Sequence, residues 1–437
     1  MTWRHKRSYR IKKKEILLGL LWAAFLLLFS DALLGLVLPA HKTVVDHLPG
    51  YWNLPPTYKK ITGVAQPYYA TADPTFKYSQ FPVAKAAGGY RIFCVGESSV
   101  QGHSIIYPPD PKEPHAYDLA FPTQLETRLR QAYPARSIEV INAGRDAYET
   151  MRIKYVVNEI IGYQPDLVII YCGHNSWAVE LLFDFLDVGL TDNVVIAIQK
   201  VLRQSSIYRL LYDFVPRQYD HRSNPGVNNY NYFVYKRELD RIRGNIYQQD
   251  LRDMIEKLLK AKVNVILGIP VANLKLPPLE STHRPNLTTA DLIDFGRFMQ
   301  WGLIAELDQR HEAALDQFQK CLRIDPDYAL IPYHLAELYE KRGDLAAAKK
   351  YYGEARDKDT MPARATSRAS EIVRELGRRQ PIVIADFEAA FDAALHGQVM
   401  GSNLFNDYVH PNRVGHAIMT DTLARLIFEH KLIERKE

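Results

Sequence analysis

Short apolar runs alternating with amphipathic stretches fix the fold class of most of this chain. Residues 91–95, 138–141 and 166–171 are dense in Ile, Val, Leu, Phe and Cys and too short for helices. Between them, stretches near 118–132 and 148–162 carry apolar residues at helical spacing. Such alternation predicts a parallel sheet with helices on both faces, because each crossover between parallel strands is itself a helix. Residues 263–268 and 382–384 supply a fourth and a fifth strand. A chain of 437 residues, 47% of them hydrophobic, can bury a sizeable core and suits two to three domains.

The first 89 residues have a different texture. Arg4, Lys6, Arg7, Arg10, Lys12, Lys13 and Lys14 precede the first acid, Glu15. Removing those seven bases and one acid from 55 and 50 leaves 48 against 49, so the +5 net charge sits at one end. The body is neutral, and nothing in its charge points to nucleic acid. Residues 16–38 are apolar apart from Ser30 and Asp31, long enough as a helix to cross a hydrocarbon layer of about 30 Å. With the bases of residues 1–15 held on the cytoplasmic side, everything from about residue 40 faces the opposite side of a cytoplasmic membrane. A cleaved signal peptide shares the basic start, but the apolar run is longer than usual and no A-x-A site follows Leu38. Asp31 is costly at mid-span and shifts the best membrane segment toward residues 16–29. Residues 39–89, rich in Pro and Tyr with weak periodicity, are read as a linker. Three cysteines at unrelated spacings make no disulfide framework, and Cys94 and Cys172 read as small buried hydrophobes.

A repeat interrupts the strand pattern. Ala314, Phe318, Cys321 and Pro326 are matched by Ala348, Tyr352, Ala355 and Thr360, each pair 34 residues apart. Gly302 with Ala336 and Trp301 with Leu335 keep the same spacing, and Gly343 falls at an inter-helix turn. This small-large-small pattern is that of tetratricopeptide helix pairs, in which small residues let helices approach and large ones fill the next groove. Residues 291–362 are therefore read as two such repeats, inserted between residues 90–290 and 363–437 of one catalytic domain. Two repeats are fewer than a free-standing solenoid needs, so they pack on that domain or take a protein partner. An ordinary helical hairpin is the alternative.

Hydroxyl nucleophiles need a sharp turn that exposes the oxygen, and the first strand runs into Gly96-Glu97-Ser98-Ser99-Val100-Gln101-Gly102. The second ends Asn142-Ala143-Gly144-Arg145-Asp146-Ala147, the third Gly173-His174-Asn175, and near the C-terminus stands Asp407-Tyr408-Val409-His410-Pro411. A D-x-x-H spacing lets one loop deliver an imidazole and the carboxylate that orients it. Pro411 is expected at the first position of a following helix striped by Val414, Ile418, Met419, Leu423, Leu426 and Ile427. Taken together, the four blocks resemble the SGNH (GDSL-like) hydrolase family. That resemblance implies a flavodoxin-like three-layer α/β sheet and a serine esterase or acyltransferase needing no cofactor or metal. It makes Ser98 the nucleophile, Asp407 and His410 its partners, and Ser98, Ala147 and Asn175 the oxyanion donors, with Gly144 the alternative to Ala147. Glu97 stands where the family has Asp, and Ser99 is a decoy at a variable position. Asn273, Leu274, Pro277 and Pro278 look like the loop after the fourth strand in a membrane-anchored subset of the family that carries helical repeats.

Other chemistries fit less well. Val100 occupies the last glycine's place of a G-x-S-x-G elbow, and no H-E-x-x-H, phosphate loop or paired C-x-x-C is present. His174, His410 and His416 lack an acidic or thiolate set for a metal, and His174 reads as a wall of the site. His283 reads as a loop residue, equally suited to solvent. The leading expectation is hydrolysis of an acyl or acetyl ester on a cell-envelope glycan or lipid. Acyl transfer by the same triad and a silent scaffold acting through the repeats are the alternatives.

Overall fold

The computed structural model describes residues 22, 25–27, 29, 30, 33, 56–72, 78–102, 119–177, 205, 207 and 229–433. The chain divides into two units, one of Met1–Asn53 with Phe185–Pro225 and one of Leu54–Asp184 with Gly226–Glu437. In the first, Trp22, Phe25 and Phe29 are helical, with ring centroids 5.7 and 6.1 Å apart in sequence order. Most of the apolar run 16–38 and the linker up to residue 55 lie outside the described residues. Among the described residues no helix is long and apolar enough to cross a membrane.

The second unit begins with three antiparallel strands, β1 (Tyr58–Ile61), β2 (Tyr68–Thr71) and β3 (Gln80–Pro82). This meander occupies part of the stretch read as linker. Buried Tyr58 and Phe81 bring it onto Phe93, with Tyr58–Phe81 and Phe81–Phe93 centroids 5.1 and 5.4 Å apart. The Glu159 carboxylate accepts the N–H groups of Thr57 and Tyr58 at 2.7 and 3.0 Å and so ties the meander to the body.

Five parallel strands follow: β4 (Tyr90–Gly96), β5 (Ile138–Gly144), β6 (Leu167–Tyr171), β7 (Asn264–Gly268) and β8 (Val383–Ala385), in the spatial order β5-β4-β6-β7-β8. The two-residue period of a strand divides their side chains between two cores. Phe93, Val95, Val168, Ile170, Val265 and Leu267 face one core with α3 (Thr150–Ile160), α4 (Asn229–Lys260) and α9 (Ser367–Arg379). Ile92, Cys94, Ile169, Tyr171 and Ile266 face the other with α2 (Phe121–Ala132), α10 (Phe387–Leu395) and α11 (Arg413–Glu429). The result is a three-layer sandwich in which the order of strand addition switches sides after β5, so that the switch point falls between the neighbours β4 and β6.

Between β7 and β8 lie α5 (Thr289–Leu307), α6 (His311–Ile324), α7 (Leu330–Lys341) and α8 (Leu345–Lys358). Of the matched positions, Ala314, Phe318, Cys321, Ala348, Tyr352 and Ala355 are buried, whereas Pro326 and Trp301 are exposed. Gly302 explains the close helix approach, since a Cβ there would stand 2.7 Å from the Phe318 ring. Leu274 and Val399 from the α/β part share a core with Ala336, Ala348 and Tyr352, so the repeats pack on it. Two expectations for the last helix need correction. It begins at Arg413, with Asn412 as N-cap accepting the N–H groups of Val414 and Gly415 at 2.9 and 3.1 Å. Pro411 precedes the cap, bridged to Phe405, because a free Asn side chain satisfies those N–H groups and proline cannot. Val414, in the first turn beyond the sheet, is exposed rather than part of the buried stripe.

Candidate active site

Gly96 ends β4, and Glu97 leads into α1 (Ser98–Gln101), a single helical turn whose C-cap Gly102 is left-handed. Ser98 is half-buried at the start of that turn. His410 Nε2 lies 2.7 Å from Ser98 Oγ, and His410 Nδ1 lies 2.6 Å from Asp407 Oδ2. Residues 312 positions apart thus form one line of hydroxyl, imidazole and carboxylate. The second carboxylate oxygen, Asp407 Oδ1, accepts the N–H groups of Val409 and His410, both at 2.9 Å. Burial would raise the Asp407 carboxyl, but the hydrogen bond and charge of His410 and those two N–H groups bring it down to about 2. The acid is therefore ionised at neutral pH.

Ser99 is buried and turned away, its Oγ donating to the Val409 carbonyl at 3.2 Å. It pins the turn that carries Ser98 to the D-x-x-H loop. Asn142 pins the same turn from the other side, with Nδ2 donating to the carbonyls of Val100 and Gln101 at 3.0 and 3.4 Å. Gly144 sits against that turn, where a Cβ would meet the Gln101 nitrogen at 2.4 Å. Its own N–H donates to Asn142 Oδ1 at 3.0 Å. By contrast, among the described residues no acceptor takes the N–H of Ser98 or of Ala147. Ala147 is exposed with φ 56°, the left-handed region that favours glycine. Asn175 Nδ2 donates one hydrogen to the Tyr148 carbonyl at 3.1 Å, which leaves its second hydrogen for another acceptor.

Glu97 has an anchoring position. Its buried carboxylate accepts the N–H groups of Gly173, His174 and Asn175 at 2.7, 3.1 and 3.3 Å, fixing the loop after β6 beside the nucleophile. Burial pushes this carboxyl up to about 8, while the three N–H donors pull the other way. His174, expected as a wall, is wholly buried, and Nδ1 accepts the Ala365 N–H at 3.2 Å. Burial, followed by the charge of His410, lowers it to about 3, so it is a neutral acceptor. His416 accepts the Phe121 N–H at 3.3 Å inside the core. His283 Nδ1 is 2.9 Å from Asp325 Oδ2. These histidines do not gather at the triad as a metal set. Among the described residues, Glu306, His334 and Glu337 on the repeat helices have ligand atoms within 4.8 Å of one another. Glu306 there is already paired with His334 at 3.0 Å and Lys341 at 3.4 Å.

Two supports of the D-x-x-H loop had no role assigned from the sequence. Asn273 N–H donates to the Tyr408 carbonyl at 3.0 Å and Asn273 Nδ2 to the Asp407 carbonyl at 3.1 Å. Arg364, buried, donates to the carbonyls of Asn273 and Leu276. The Asn after β7 carried a signal in its loop motif, whereas a single Arg at the end of a repeat carried none.

A family model described as tetratricopeptide repeat matches residues 307–370. No curated protein matches the chain. Among solved structures, the chain is similar to an acetylxylan esterase from Geobacillus stearothermophilus, with 14% identity, 78% of this chain and 94% of that chain covered, and a TM-score of 0.34. It is also similar to a lipase/acylhydrolase from Enterococcus faecalis, with 13% identity, coverage of 78% and 96%, and a TM-score of 0.34. An acetyl xylan esterase structure gives 12% identity, coverage of 77% and 99%, and a TM-score of 0.37. The chain thus joins a segment similar to tetratricopeptide repeats to an α/β body, the latter seen in its own five-stranded parallel sheet.

Proposed function

We propose that this protein is a serine esterase that hydrolyses an acyl or acetyl ester through Ser98, His410 and Asp407. The reading rests on one observation, the unbroken hydrogen-bonded line from Ser98 Oγ through His410 to Asp407 at 2.7 and 2.6 Å. In the resting site the Ser98 hydroxyl donates to Nε2 and Nδ1–H donates to the ionised Asp407. As Ser98 Oγ attacks the ester carbon, its proton passes to Nε2, and the imidazolium so formed is stabilised by the carboxylate beside it. The carbonyl oxygen gains charge and takes the N–H groups of Ser98 and Ala147 with the second amide hydrogen of Asn175. Each such donor contributes on the order of a hundred- to a thousandfold in rate. His410 then protonates the leaving alkoxide, and water repeats the cycle on the acyl-serine. Gly144 is not assigned this role, since its N–H already has an acceptor.

The compartment belongs to the same proposal. The basic cluster before residues 16–38 supports a single-pass anchor in the cytoplasmic membrane with the body outside. An ester there is carried by a cell-envelope glycan or lipid, and the repeats offer a surface for a protein partner. Protease added to intact spheroplasts is expected to degrade the body, and full protection would reverse this orientation.

The chemical test uses the detergent-solubilised full chain with an aryl acetate and a fluorophosphonate probe. Ser98→Ala is expected to abolish turnover and labelling. Ser99→Ala loses one hydrogen bond, worth about 1 kcal/mol of stability, and keeps most of its labelling. Equal labelling of the two variants refutes the assignment. Adding a glycan acceptor distinguishes hydrolysis from transfer, since transfer alone yields acetylated acceptor.

A further inference from the structure

We infer that Arg364, a residue of the tetratricopeptide-matched stretch, is a positioning residue for the triad, holding the Asp407 loop in line through Asn273 and Tyr408. The inference rests on the triad proposed above.

Asp407 needs external support. Its side chain is 46% exposed, so packing does not confine it, and its aim at His410 depends on where its backbone is held. Asn273 holds that backbone by donating twice, to the carbonyls of Asp407 and Tyr408 at 3.1 and 3.0 Å. Arg364 in turn holds Asn273. It lies between α8 and α9, and Nη1 donates to the Asn273 carbonyl and, at 3.1 Å, to the Leu276 carbonyl. Its guanidinium carbon also stands 5.0 Å from the centre of the Tyr408 ring, the residue after Asp407. The next residue, Ala365, donates its N–H to His174 Nδ1 at 3.2 Å. His174 lies in the loop that presents Asn175 and that Glu97 fixes to the nucleophile turn. Residues 364 and 365 therefore touch the supports of both the acid–base loop and the oxyanion loop.

The chemistry of the contacts favours positioning over bulk stability. A buried guanidinium is expensive to desolvate and is normally matched by a carboxylate. Here its acceptors are main-chain carbonyls of the loop that carries Asn273. Burial brings Arg364 down to about 10, so it stays charged at neutral pH and both bonds are charge-assisted. Both bonds leave from Nη1 while the guanidinium carbon lies over the Tyr408 ring, and a lysine ammonium, which has no planar face to lay on that ring, cannot combine the two contacts.

The test compares Arg364→Met, Arg364→Lys and Asn273→Ala in the full-length protein, with kcat expressed per fluorophosphonate-titrated site so that unfolded protein is not counted. Arg364→Met is expected to lower kcat roughly thirtyfold, because misplacement of reacting groups by about 1 Å costs on the order of a hundredfold, with KM changed less than about threefold. Arg364→Lys should recover only part of the loss. The decisive measurement is a cycle with Asp407→Asn: if Arg364 acts through Asp407, adding Arg364→Met to that variant lowers kcat by less than about twofold. Losses that multiply in the double variant, or a kcat per titrated site equal to wild type, overturn the inference. Should Arg364→Met not fold, Asn273→Ala in the same cycle decides between the same two outcomes. Wild type that is neither labelled nor active sinks the triad itself and this inference with it. Ser98-dependent labelling with indifferent Arg364 variants sinks this inference alone.

Discussion

At the scale of single residues, the Asp407–His410 pair was legible because its two members are close in sequence. Asp407 and His410 share a loop, and their spacing alone lets Oδ1 take the N–H groups of Val409 and His410 while Oδ2 faces Nδ1. Supporting contacts made across the fold were not legible. Ser99 reaches the Val409 carbonyl over 310 positions, and nothing in a serine-serine pair says which one turns inward. Ala147 shows the intermediate case: the block placed it, but only the backbone reveals that it is left-handed at φ 56°, where an L-residue is strained by about 1–2 kcal/mol. The depressed Asp407 carboxyl has a consequence for acid stability. Its value in the fold is about 2 against an ordinary 3.8, so it favours the folded state fully above pH 3.8 and the contribution drains as pH falls through 2. Urea midpoints of wild type and Asp407→Asn should therefore converge as pH is lowered from about 5 toward 2. A gap that stays constant across that range would mean the carboxylate contributes nothing to folding.

At the scale of elements, helices and central strands were read near their true places because their periodicity is local. The 34-residue matches found buried positions on α6 and α8, and the apolar runs found β4, β5 and β6. The meander β1–β3 escaped because its strands are three or four residues long and its partners are distant. In β1 two exposed lysines, Lys59 and Lys60, hide the single buried Tyr58. Its anchor is an aromatic cluster that forms only on folding: Tyr58, Tyr69, Phe81, Phe93 and Tyr163, with the Tyr69 and Tyr163 centroids 4.4 Å apart. Phe81 is central to it and 3% exposed. Truncating a buried phenylalanine typically costs about 3–5 kcal/mol, so Phe81→Ala should lower the urea midpoint markedly. The meander packs on the face of the sheet opposite α11, away from the D-x-x-H loop, so kcat per fluorophosphonate-titrated site should stay near wild type. A normal midpoint would return residues 58–82 to the status of a tether.

At the scale of the whole molecule, strand order decides where chemistry can sit. Parallel strands point their carboxyl ends one way, so the turns after β4, β5 and β6 lie at one end of the sheet, at the switch point between β4 and β6. The alternation of elements predicted the sheet, but the order β5-β4-β6-β7-β8 is not written in any local pattern. Only the family resemblance of the four blocks implied it. The repeats enter between β7 and β8, and the chain leaving them touches Asn273 and His174 through Arg364 and Ala365, so their attachment bears on the site. That attachment joins an apolar patch, Leu274 and Val399 against Ala336, Ala348 and Tyr352, to polar contacts: Asp359 accepts the N–H groups of Leu279 and Glu280 at 2.8 and 3.1 Å, and Lys275 and Asp392 pair with Glu340 and Lys349. Two helix pairs are too few to stand alone, and their stability must come largely from this seam. In native-state hydrogen exchange the slowest amides of α6–α8 should therefore open with the same free energy as those of β4, β6 and β7. Leu274→Ala removes a buried side chain from the seam and should cost about 2–4 kcal/mol, with the loss appearing first in α6–α8 as a separate, lower-energy opening. Repeats that already exchange independently in wild type would show that the seam carries no coupling. They would then be a separate module hung from the α/β body, and their influence on Asp407 would have to run through residues 359–366 alone.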